Sequence, residues 1–368
     1  MVVHSTVAGR SPRLEFSNRY GSGPLVLGAV DVALRQGSGG SGDAVPGSHR
    51  TARFAVAGGG PGAAATSTSV TIPAGGEAVT RPVALAVGAD RSLLVSVYLP
   101  NPTGPSSFHA NADGTTWATA PGGGDHAADD STADYPRTST HWYYLDGVDL
   151  VPDRARDTVV AFGDSITDGS AATPNADRRW PDDLARRFTA RPGGRPYAVV
   201  DAGIGGNRLL TDAPLLEHGV PGVERFTRDA LDRPGVRSVV VLEGVNDIGN
   251  DAGPHGGPLT AAELVGGLRR LIDLAHARHV RVCGGTILPF RGAFYWSPQG
   301  ERIREAVNRW ILTSHAFDCT VDFARAVADP ADPERLAPRY DSGDHLHPGS
   351  AGYQAMADAV DLRQVTGG

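Results

Sequence analysis

From about residue 155 onward, short apolar runs alternate with segments of helical periodicity, and this alternation restricts the fold more than any other feature of the sequence. The runs are mostly continuous, as in strands of a parallel sheet whose two faces are covered by helices. They read DTVVAFG, YAVVDAGI, RSVVVLEG, RVCGGTILPF and CTVDFA. The pattern predicts an α/β fold with a doubly wound parallel sheet of five strands. Its ligand site is expected outside the carboxyl ends of the strands.

The segments between these runs carry helix signals. Trp180, Leu184 and Phe188 recur every four residues, which predicts a helix with one buried face. Thr260 and Glu263 have the spacing of a capping box at the start of a long amphipathic segment. Both signals support the alternation of strands and helices.

Residues 1 to about 150 follow a different pattern, in which clusters of glycine, proline and serine separate short apolar runs. Examples are PLVLGAVDVAL, TSTSVTIPAGG and SLLVSVYLP. Because no helical periodicity lies between them, the runs predict an antiparallel β-sandwich of jelly-roll type. We therefore expect two domains, an accessory β-sandwich over residues 1–152 and the α/β domain over residues 153–368.

The basic residues exclude several kinds of chemistry. All 34 of them are arginine, so the chain offers no ε-amine for a Schiff base, a Ser/Lys dyad or a P-loop. The net charge of -7 gives nothing that would attract a nucleic-acid backbone. No segment is long and apolar enough for a membrane span. We expect neither nucleic acid nor a membrane as a partner.

The two cysteines, Cys283 and Cys319, lie in apolar segments that are typical of buried strands. They are too few for a disulfide framework, and without a CxxC pair they form no zinc site. We expect two free thiols in the core rather than a bridge.

Three of the predicted strands end close to a residue that can take part in catalysis. Ser165, in AFGDSITDG, can be a nucleophile or only a turn residue. Gly206, in DAGIGGNRLL, can present its N–H to a ligand or only form a tight turn between strand and helix. Asn246, in LEGVNDIG, can donate a hydrogen bond to an oxyanion or only cap a helix.

The segment DSGDHLHPGSAGY contains a candidate base. Asp344 lies three residues before His347 and can accept the Nδ1 proton of that ring, which leaves Nε2 to take a proton from a serine. His345 lies between them and is expected to point elsewhere. As metal ligands, these three residues lack a fourth partner in the sequence, so we expect no metal.

Taken in order, the four segments resemble the blocks of the SGNH (GDSL) hydrolase family, named for serine, glycine, asparagine and histidine. GDSITDG matches the first block, GIGGNR the second, GVND the third and DHLHP the fourth, within roughly residues 157–362. Ile166 stands where the name motif has leucine, and Asp201 where many members have asparagine. Neither difference removes a catalytic group. Several similar esterases also carry an N-terminal β-sandwich.

The resemblance implies a flavodoxin-like, three-layer α/β domain with the activity of a serine esterase. Ser165 then corresponds to the nucleophile, His347 to the base and Asp344 to the acid that orients it. The N–H groups of Ser165 and Gly206 and the side chain of Asn246 correspond to the oxyanion hole. The resemblance implies no cofactor, and it implies a small-molecule or glycan ester as the substrate.

The natural substrate and the oligomeric state stay open. We expect short acyl groups, above all acetyl. The alternatives are an acyltransferase that uses the same acyl-enzyme, a lipase for longer chains, and a carbohydrate-binding protein with an inactive hydrolase half. The resemblance favours a secreted protein, although the first residues show no basic segment followed by an apolar one, as a signal peptide would.

Overall fold

The structure is a computed structural model that describes residues 1–56, 65–154, 157–191 and 196–367. The chain forms two compact units. Unit 1 consists of Met1–Arg154 and Pro174–Ala176, and unit 2 of Ala155–Thr173 and Asp177–Gly368. Within the described ranges, no helix combines the length and the apolar character that crossing a membrane requires.

Unit 1 is built from antiparallel strands. In chain order they are β1 Val2–Ser5, β2 Gly9–Ser17, β3 Leu25–Leu27, β4 Ala29–Leu34, β5 Arg50–Thr51, β6 Phe54–Ala55, β7 Thr66–Ser67, β8 Val70–Ile72, β9 Glu77–Val79, β10 Ala86–Val87, β11 Arg91–Tyr98, β12 Phe108–His109, β13 Thr116–Ala118, β14 Arg137–Ser139, β15 Trp142–Tyr143 and β16 Leu145–Pro152. One sheet has the order β1-β11-β4-β5, and another has the order β10-β2-β16 with β9 beside β2. Leu14 and Phe16 of the second sheet share a buried core with Val32 and Leu93 of the first. The predicted β-sandwich is confirmed.

Unit 2 contains a parallel sheet of five strands. They are β17 Thr158–Gly163, β18 Ala198–Gly203, β19 Val236–Leu242, β20 Arg281–Gly285 and β21 Cys319–Val321. Their order in the sheet is β18-β17-β19-β20-β21, and every neighbouring pair is parallel. The predicted doubly wound α/β fold is confirmed. Because β17 lies between β18 and β19, the chain reverses its direction across the sheet at β17, which is where such folds bind ligands.

The helices and the remaining strands complete unit 2. The helices are α1 Ser165–Asp168, α2 Trp180–Ala190, α3 Gly222–Phe226, α4 Val245–Gly249, α5 Ala261–Ala277, α6 Pro298–Thr313, α7 Phe323–Val327, α8 Ser350–Ala359 and α9 Leu362–Thr366, with a 3₁₀ turn at Leu216–His218 and a π turn at Thr227–Leu231. Strands β22 Ala328–Asp329 and β23 Asp332–Leu336 pair with each other.

The sequence signals for helices agree with the structure. Trp180, Leu184 and Phe188 are buried along one face of α2. At the start of α5, the Thr260 hydroxyl accepts a hydrogen bond from the Glu263 N–H, and the Glu263 carboxylate accepts one from the Thr260 N–H. The helices form a layer on each face of the sheet, and the carboxyl ends of its strands lie at one edge.

The expectation of two free thiols is wrong, because Cys283 and Cys319 form a disulfide. Strands β20 and β21 are neighbours in the parallel sheet, and their register sets the two cysteines directly opposite each other. Their Cα atoms are 4.5 Å apart, which is within the range that a disulfide spans. A count of cysteines could not reveal this pairing, whereas the strand order and register do.

Removing the disulfide should lower the stability of unit 2. The bridge closes a loop between residues 36 positions apart, and a loop of this size restricts the unfolded chain. We expect the double substitution Cys283→Ala and Cys319→Ala to lower the free energy of unfolding by about 2–4 kcal/mol. Urea denaturation measures the change, with the reduced wild-type protein as the control for the lost sulfur atoms. Equal stability of the oxidised and reduced wild type would contradict the expectation.

Candidate active site

Ser165 lies at the carboxyl end of β17, where the sheet changes direction. The strand ends at Gly163, and Asp164 caps the short helix α1 by accepting a hydrogen bond from the Ile166 N–H at 2.9 Å. Ser165 is the first residue of α1, so its own N–H has no partner within the helix. The cap thus holds both the hydroxyl and a free N–H of Ser165 at the edge of the sheet.

Ser165, His347 and Asp344 form one line of hydrogen bonds. The Oγ of Ser165 lies 2.8 Å from Nε2 of His347, and Nδ1 of His347 lies 2.6 Å from Oδ2 of Asp344. The other carboxylate oxygen of Asp344 accepts the N–H groups of Leu346 and His347 at 2.9 and 2.8 Å. Because the carboxylate only accepts, Nδ1 carries the proton of a neutral ring, and Nε2 is free to accept the hydroxyl proton of Ser165.

The surroundings of Asp344 keep this carboxyl ionised. Partial burial by itself raises its pKa, but the hydrogen bonds from the side chain and N–H of His347 and from the N–H of Leu346 outweigh burial. The pKa of Asp344 therefore lies well below its ordinary value. A charged Asp344 can stabilise the positive charge that His347 acquires when it takes a proton.

Gly206 follows β18 in a tight turn with a φ of 74°, a backbone conformation that favours glycine. A Cβ atom at this position would lie 2.4 Å from Cδ2 of His218, so the His218 ring packs directly against the Gly206 backbone. The turn also contacts α1, because the N–H of Gly205 donates to Oδ2 of Asp168 at 3.1 Å. The His218 ring therefore leaves no room for a side chain at Gly206.

Asn246 lies in the first turn of α4, directly after β19, and its amide is held on both sides. Its Nδ2 donates to the backbone oxygen of Asn207 at 2.9 Å, and its Oδ1 accepts the Tyr295 hydroxyl at 3.3 Å. These contacts use one of the two hydrogens on Nδ2 and fix which end of the amide is the donor. The bond to Asn207 also joins Asn246 to the turn that carries Gly206.

His345 has a different partner from its neighbour His347. Its Nδ1 and its N–H both bond to the carboxylate of Asp341, as expected of a residue that does not face Ser165. The prediction that His345 points elsewhere agrees with this pairing. The segment thus contains two His–Asp pairs of similar geometry, and only His347 of these two histidines reaches the serine.

Among the residues that the structure describes, one group of possible metal ligands lies close together. It is in unit 1 and consists of His126, Asp129 and Asp134. Both ring nitrogens of His126 bond to oxygen acceptors, to Asp129 at 2.7 Å and to the Gly123 carbonyl at 3.0 Å. The bonds to Asp129 and Gly123 raise the pKa of His126. With both ring nitrogens engaged in these hydrogen bonds, His126 offers no lone pair to a metal in this arrangement.

Sequence reasoning missed Tyr295 and Arg225. Tyr295 lies in the loop after β20, and its ring fills the space beside Gly249, where a Cβ atom would overlap it. Burial, and then the charges of Asp164 and Asp344, raise the pKa of Tyr295 well above its usual range, so it stays a hydrogen-bond donor. Arg225 lies on α3 and donates to the Ala202 and Gly163 carbonyls at the strand ends. The position of Tyr295 after a strand of the parallel sheet was a usable signal, since loops at that edge border the site.

Buried carboxyl groups lie below Ser165. Asp164 is 1% exposed and Asp247 is fully buried, where it accepts the N–H groups of Leu209 and Leu210 at 2.8 and 3.0 Å. Burial raises the pKa of Asp164 to about 7, and the hydrogen bond from the Ile166 N–H and the charge of Arg225 oppose this rise. Burial likewise raises the pKa of Asp247 to about 6, and the hydrogen bonds from the N–H groups of Leu209 and Leu210 partly oppose this rise.

The raised pKa of Asp164 predicts a pH-dependent stability. In the unfolded chain an aspartate ionises near pH 4, whereas folded Asp164 keeps its proton up to about pH 7. Between these values the folded state binds more protons, so the free energy of unfolding falls as the pH rises. Asp164→Asn cannot ionise but keeps an acceptor for the Ile166 N–H. We expect the wild type to lose about 2–4 kcal/mol more than Asp164→Asn between pH 4 and 7.

Urea denaturation at a series of pH values measures this difference. Asp344→Asn is a control for which the pH dependence of the free energy of unfolding should change in the opposite direction. The low pKa of Asp344 gives stability that is lost as the pH falls, so its removal should flatten the acid side of the curve. Parallel pH curves for Asp164→Asn and the wild type would show that Asp164 has no such role.

Comparison with known proteins identifies the family. A family model described as the GDSL-like lipase/acylhydrolase family matches residues 161–355. No curated protein matches the chain. Similar solved structures include a carbohydrate acetylesterase family member from Sinorhizobium meliloti, with 19% identity over 57% of this chain and 99% of that chain and a TM-score of 0.45.

Two other solved structures are similar over a comparable share of the chain. The aryl esterase of M. smegmatis has 16% identity over 57% of this chain and 99% of its own, with a TM-score of 0.45. A GDSL-like lipase from Bacteroides thetaiotaomicron has 20% identity over 55% of this chain and 85% of its own, with a TM-score of 0.40. The family match spans more than half of the chain and contains all four motif segments. The chain therefore belongs to the GDSL-like lipase/acylhydrolase family and is a carboxylic-ester hydrolase.

Proposed function

We propose that this hydrolase removes short acyl groups, acetyl above all, from ester substrates through an acyl-enzyme on Ser165. The observation that supports the proposal most is the unbroken line of hydrogen bonds from Ser165 through His347 to Asp344. A serine is a weak nucleophile at neutral pH unless a base takes its proton, and this line supplies the base.

In the first half of the reaction, the Oγ of Ser165 attacks the ester carbonyl carbon while Nε2 of His347 takes the hydroxyl proton. Asp344 holds the ring in the required tautomer and balances the imidazolium charge. The tetrahedral intermediate then collapses, the bond to the leaving alcohol breaks, and His347 returns the proton to the alcohol oxygen. In the second half, His347 takes a proton from water as the water oxygen attacks the acyl carbon. The bond from that carbon to Oγ of Ser165 then breaks, His347 returns the proton to Oγ, and the free acid leaves.

The carbonyl oxygen becomes negatively charged in each tetrahedral intermediate. We assign its stabilisation to the N–H groups of Ser165 and Gly206 and to the second Nδ2 hydrogen of Asn246. Fixed donors of this kind need no reorganisation as the charge develops, so loss of one typically lowers kcat by about 100- to 1000-fold. The contacts from Asn207 and Tyr295 support this role, since they leave the Asn246 amide one orientation.

The preference for a short acyl group is supported by rings beside the proposed oxyanion hole. The His218 ring packs against Gly206, and the Tyr295 hydroxyl bonds to Asn246. We infer that these two rings leave little room for a long acyl chain. Phe294 lies edge-on to Tyr295, with ring centroids 4.3 Å apart, and is 88% exposed, which offers an apolar surface to the alcohol part of the ester.

The two compact units correspond in this proposal to an accessory β-sandwich and a catalytic domain. We also propose that the protein works in an oxidising compartment, as a secreted enzyme does. The Cys283–Cys319 disulfide supports this location, because such bonds persist mainly outside the cytosol.

The first test separates the two histidines. Ser165→Ala and His347→Ala should each lower kcat on p-nitrophenyl acetate by about 10⁴-fold or more. His345→Asn is the matched control: asparagine tolerates the positive φ of 62° at this position, and the residue does not contact Ser165. We expect its kcat to stay close to that of the wild type. Retained activity in Ser165→Ala would refute the acyl-enzyme mechanism.

The second test measures acyl-chain preference with p-nitrophenyl acetate, butyrate and octanoate. We expect kcat/KM to fall by about tenfold or more from acetate to octanoate, since a pocket discriminates by the methylenes it admits. His218→Ala should reduce this preference, while Leu215→Ala, a 52% exposed position on the same loop, should not.

Two outcomes of the second test would change the proposal. A higher kcat/KM for octanoate would make the enzyme a lipase for longer chains. Transfer of most acyl groups to an added alcohol in dilute solution would make it an acyltransferase.

A further inference from the structure

Arg225 of α3 is a fully buried arginine whose donors are all used. Its five N–H groups reach five different acceptors, at distances of 2.7 to 3.4 Å. They are Oδ1 of Asn207, the backbone oxygens of Ala202 and Gly163, and the carboxylates of Asp229 and Glu243. The guanidinium also lies 4.0 Å from the centre of the Phe162 ring. Five divergent donors in one plane are a property of arginine that lysine lacks.

Three of these acceptors belong to neighbouring strands of the sheet, at or just beyond the ends of those strands. Gly163 ends β17 two residues before Ser165, Ala202 is the penultimate residue of β18, and Glu243 follows β19. The bonds to Gly163 and Ala202 are 2.7 Å long, and the bond to Glu243 is 3.1 Å long. One side chain therefore ties together the three strand ends that carry Ser165, Gly206 and Asn246.

A second path runs from Arg225 through Asn207. Nε of Arg225 donates to Oδ1 of Asn207 at 2.8 Å, while Nδ2 of Asn207 donates to the His218 and Val220 carbonyls at 2.6 and 2.9 Å. The Asn207 side chain is thus fixed at both ends of its amide. Its backbone oxygen accepts the Asn246 amide, and its neighbour in the chain is Gly206.

We propose that Arg225 is a positioning residue for the reaction, which acts through Asn207 and the Gly163 carbonyl to hold the three oxyanion donors in register. The inference rests on the proposed function of Ser165, Gly206 and Asn246. Arg225 itself contacts no reacting atom. Its loss should lower kcat and leave KM nearly unchanged, because the oxyanion exists only in the transition state.

The test compares two substitutions of buried arginines. Arg225→Lys keeps the charge but loses the planar fork of donors. Arg304→Lys makes the same change on α6, where Arg304 is 6% exposed and bonds to Glu301 and to the Ile287 carbonyl. Neither of these residues is an acceptor of Arg225. With p-nitrophenyl acetate, well below the melting temperature of each variant, we expect kcat to fall about 10- to 100-fold for Arg225→Lys. For Arg304→Lys we expect kcat within about twofold of the wild type, even if both variants are destabilised.

A double-mutant cycle with Asn246→Ala separates positioning from general loss of packing. If Arg225 acts through the oxyanion donors, the double variant should be much less impaired than the product of the single effects. Arg304→Lys combined with Asn246→Ala should instead show the product of its single effects. Unchanged kcat in Arg225→Lys, or losses that multiply with Asn246→Ala, would overturn the proposal.

Asn207→Ala tests the same proposal if Arg225→Lys does not fold. This variant cuts the path to Asn246 and leaves the bonds from Arg225 to Gly163, Ala202 and Glu243 in place. It should lower kcat to a similar extent and show the same non-additivity with Asn246→Ala. Full activity in Asn207→Ala would likewise overturn the proposal. Ser165→Ala serves as the independent check: if it stays active, the proposed function itself fails, whatever the arginine variants do.

Discussion

The register of three parallel strands is the constraint on which the candidate site depends. Gly163 of β17 lies level with Gly203 of β18 and with Leu242 of β19. All three strands therefore end at the same height, and the turns that follow them meet above the sheet. A Cβ atom on Gly163 would lie 2.2 Å from Oγ1 of Thr167, and one on Gly203 would lie 2.2 Å from the Asp168 nitrogen. Two strand-end glycines thus let α1, with Ser165 at its start, pack directly on the sheet.

The close packing at this edge of the sheet buries more acidic side chains than basic ones. Asp164, Glu243 and Asp247 are each at most 3% exposed, and Arg225 is the buried base among them. Burial, and then the charge of Asp164, raise the pKa of Glu243, so these groups do not all ionise at neutral pH. Such a cluster is a poor way to gain stability, since paired buried charges rarely repay their desolvation. Its value is geometric. Asp247 accepts the N–H groups of Leu209 and Leu210 in the turn after β18, and Arg225 donates to Glu243 and to the Gly163 and Ala202 carbonyls.

The sequence predicts those parts of the site that lie next to a strand in the chain. Ser165 and Asn246 follow apolar runs within a few residues. Asp344 and His347 are close in sequence, so one turn suffices to pair them. For these residues, local spacing and the rule that parallel strands end at one edge carry most of the information.

The sequence does not predict contacts that depend on which elements become neighbours. Arg225 lies in GVERFTRDALDR, a segment rich in charges that is typical of an exposed helix face, and nothing local shows that its side chain turns inward. The cysteine pair was wrongly predicted for the same reason, since Cys283 and Cys319 meet only because β20 and β21 are adjacent in register.

The two His–Asp pairs show how little separates the arrangement proposed for catalysis from a structural one. Asp341 holds His345 and Asp344 holds His347, in each case through Nδ1 of the ring. Pairing with a carboxylate therefore does not by itself make a histidine a base. What distinguishes His347 is the group on its other nitrogen: Nε2 meets a hydroxyl that the cap of α1 keeps at the sheet edge. The assignment of the base thus depends on Asp164 and on the end of β17 as much as on the segment that contains the histidine.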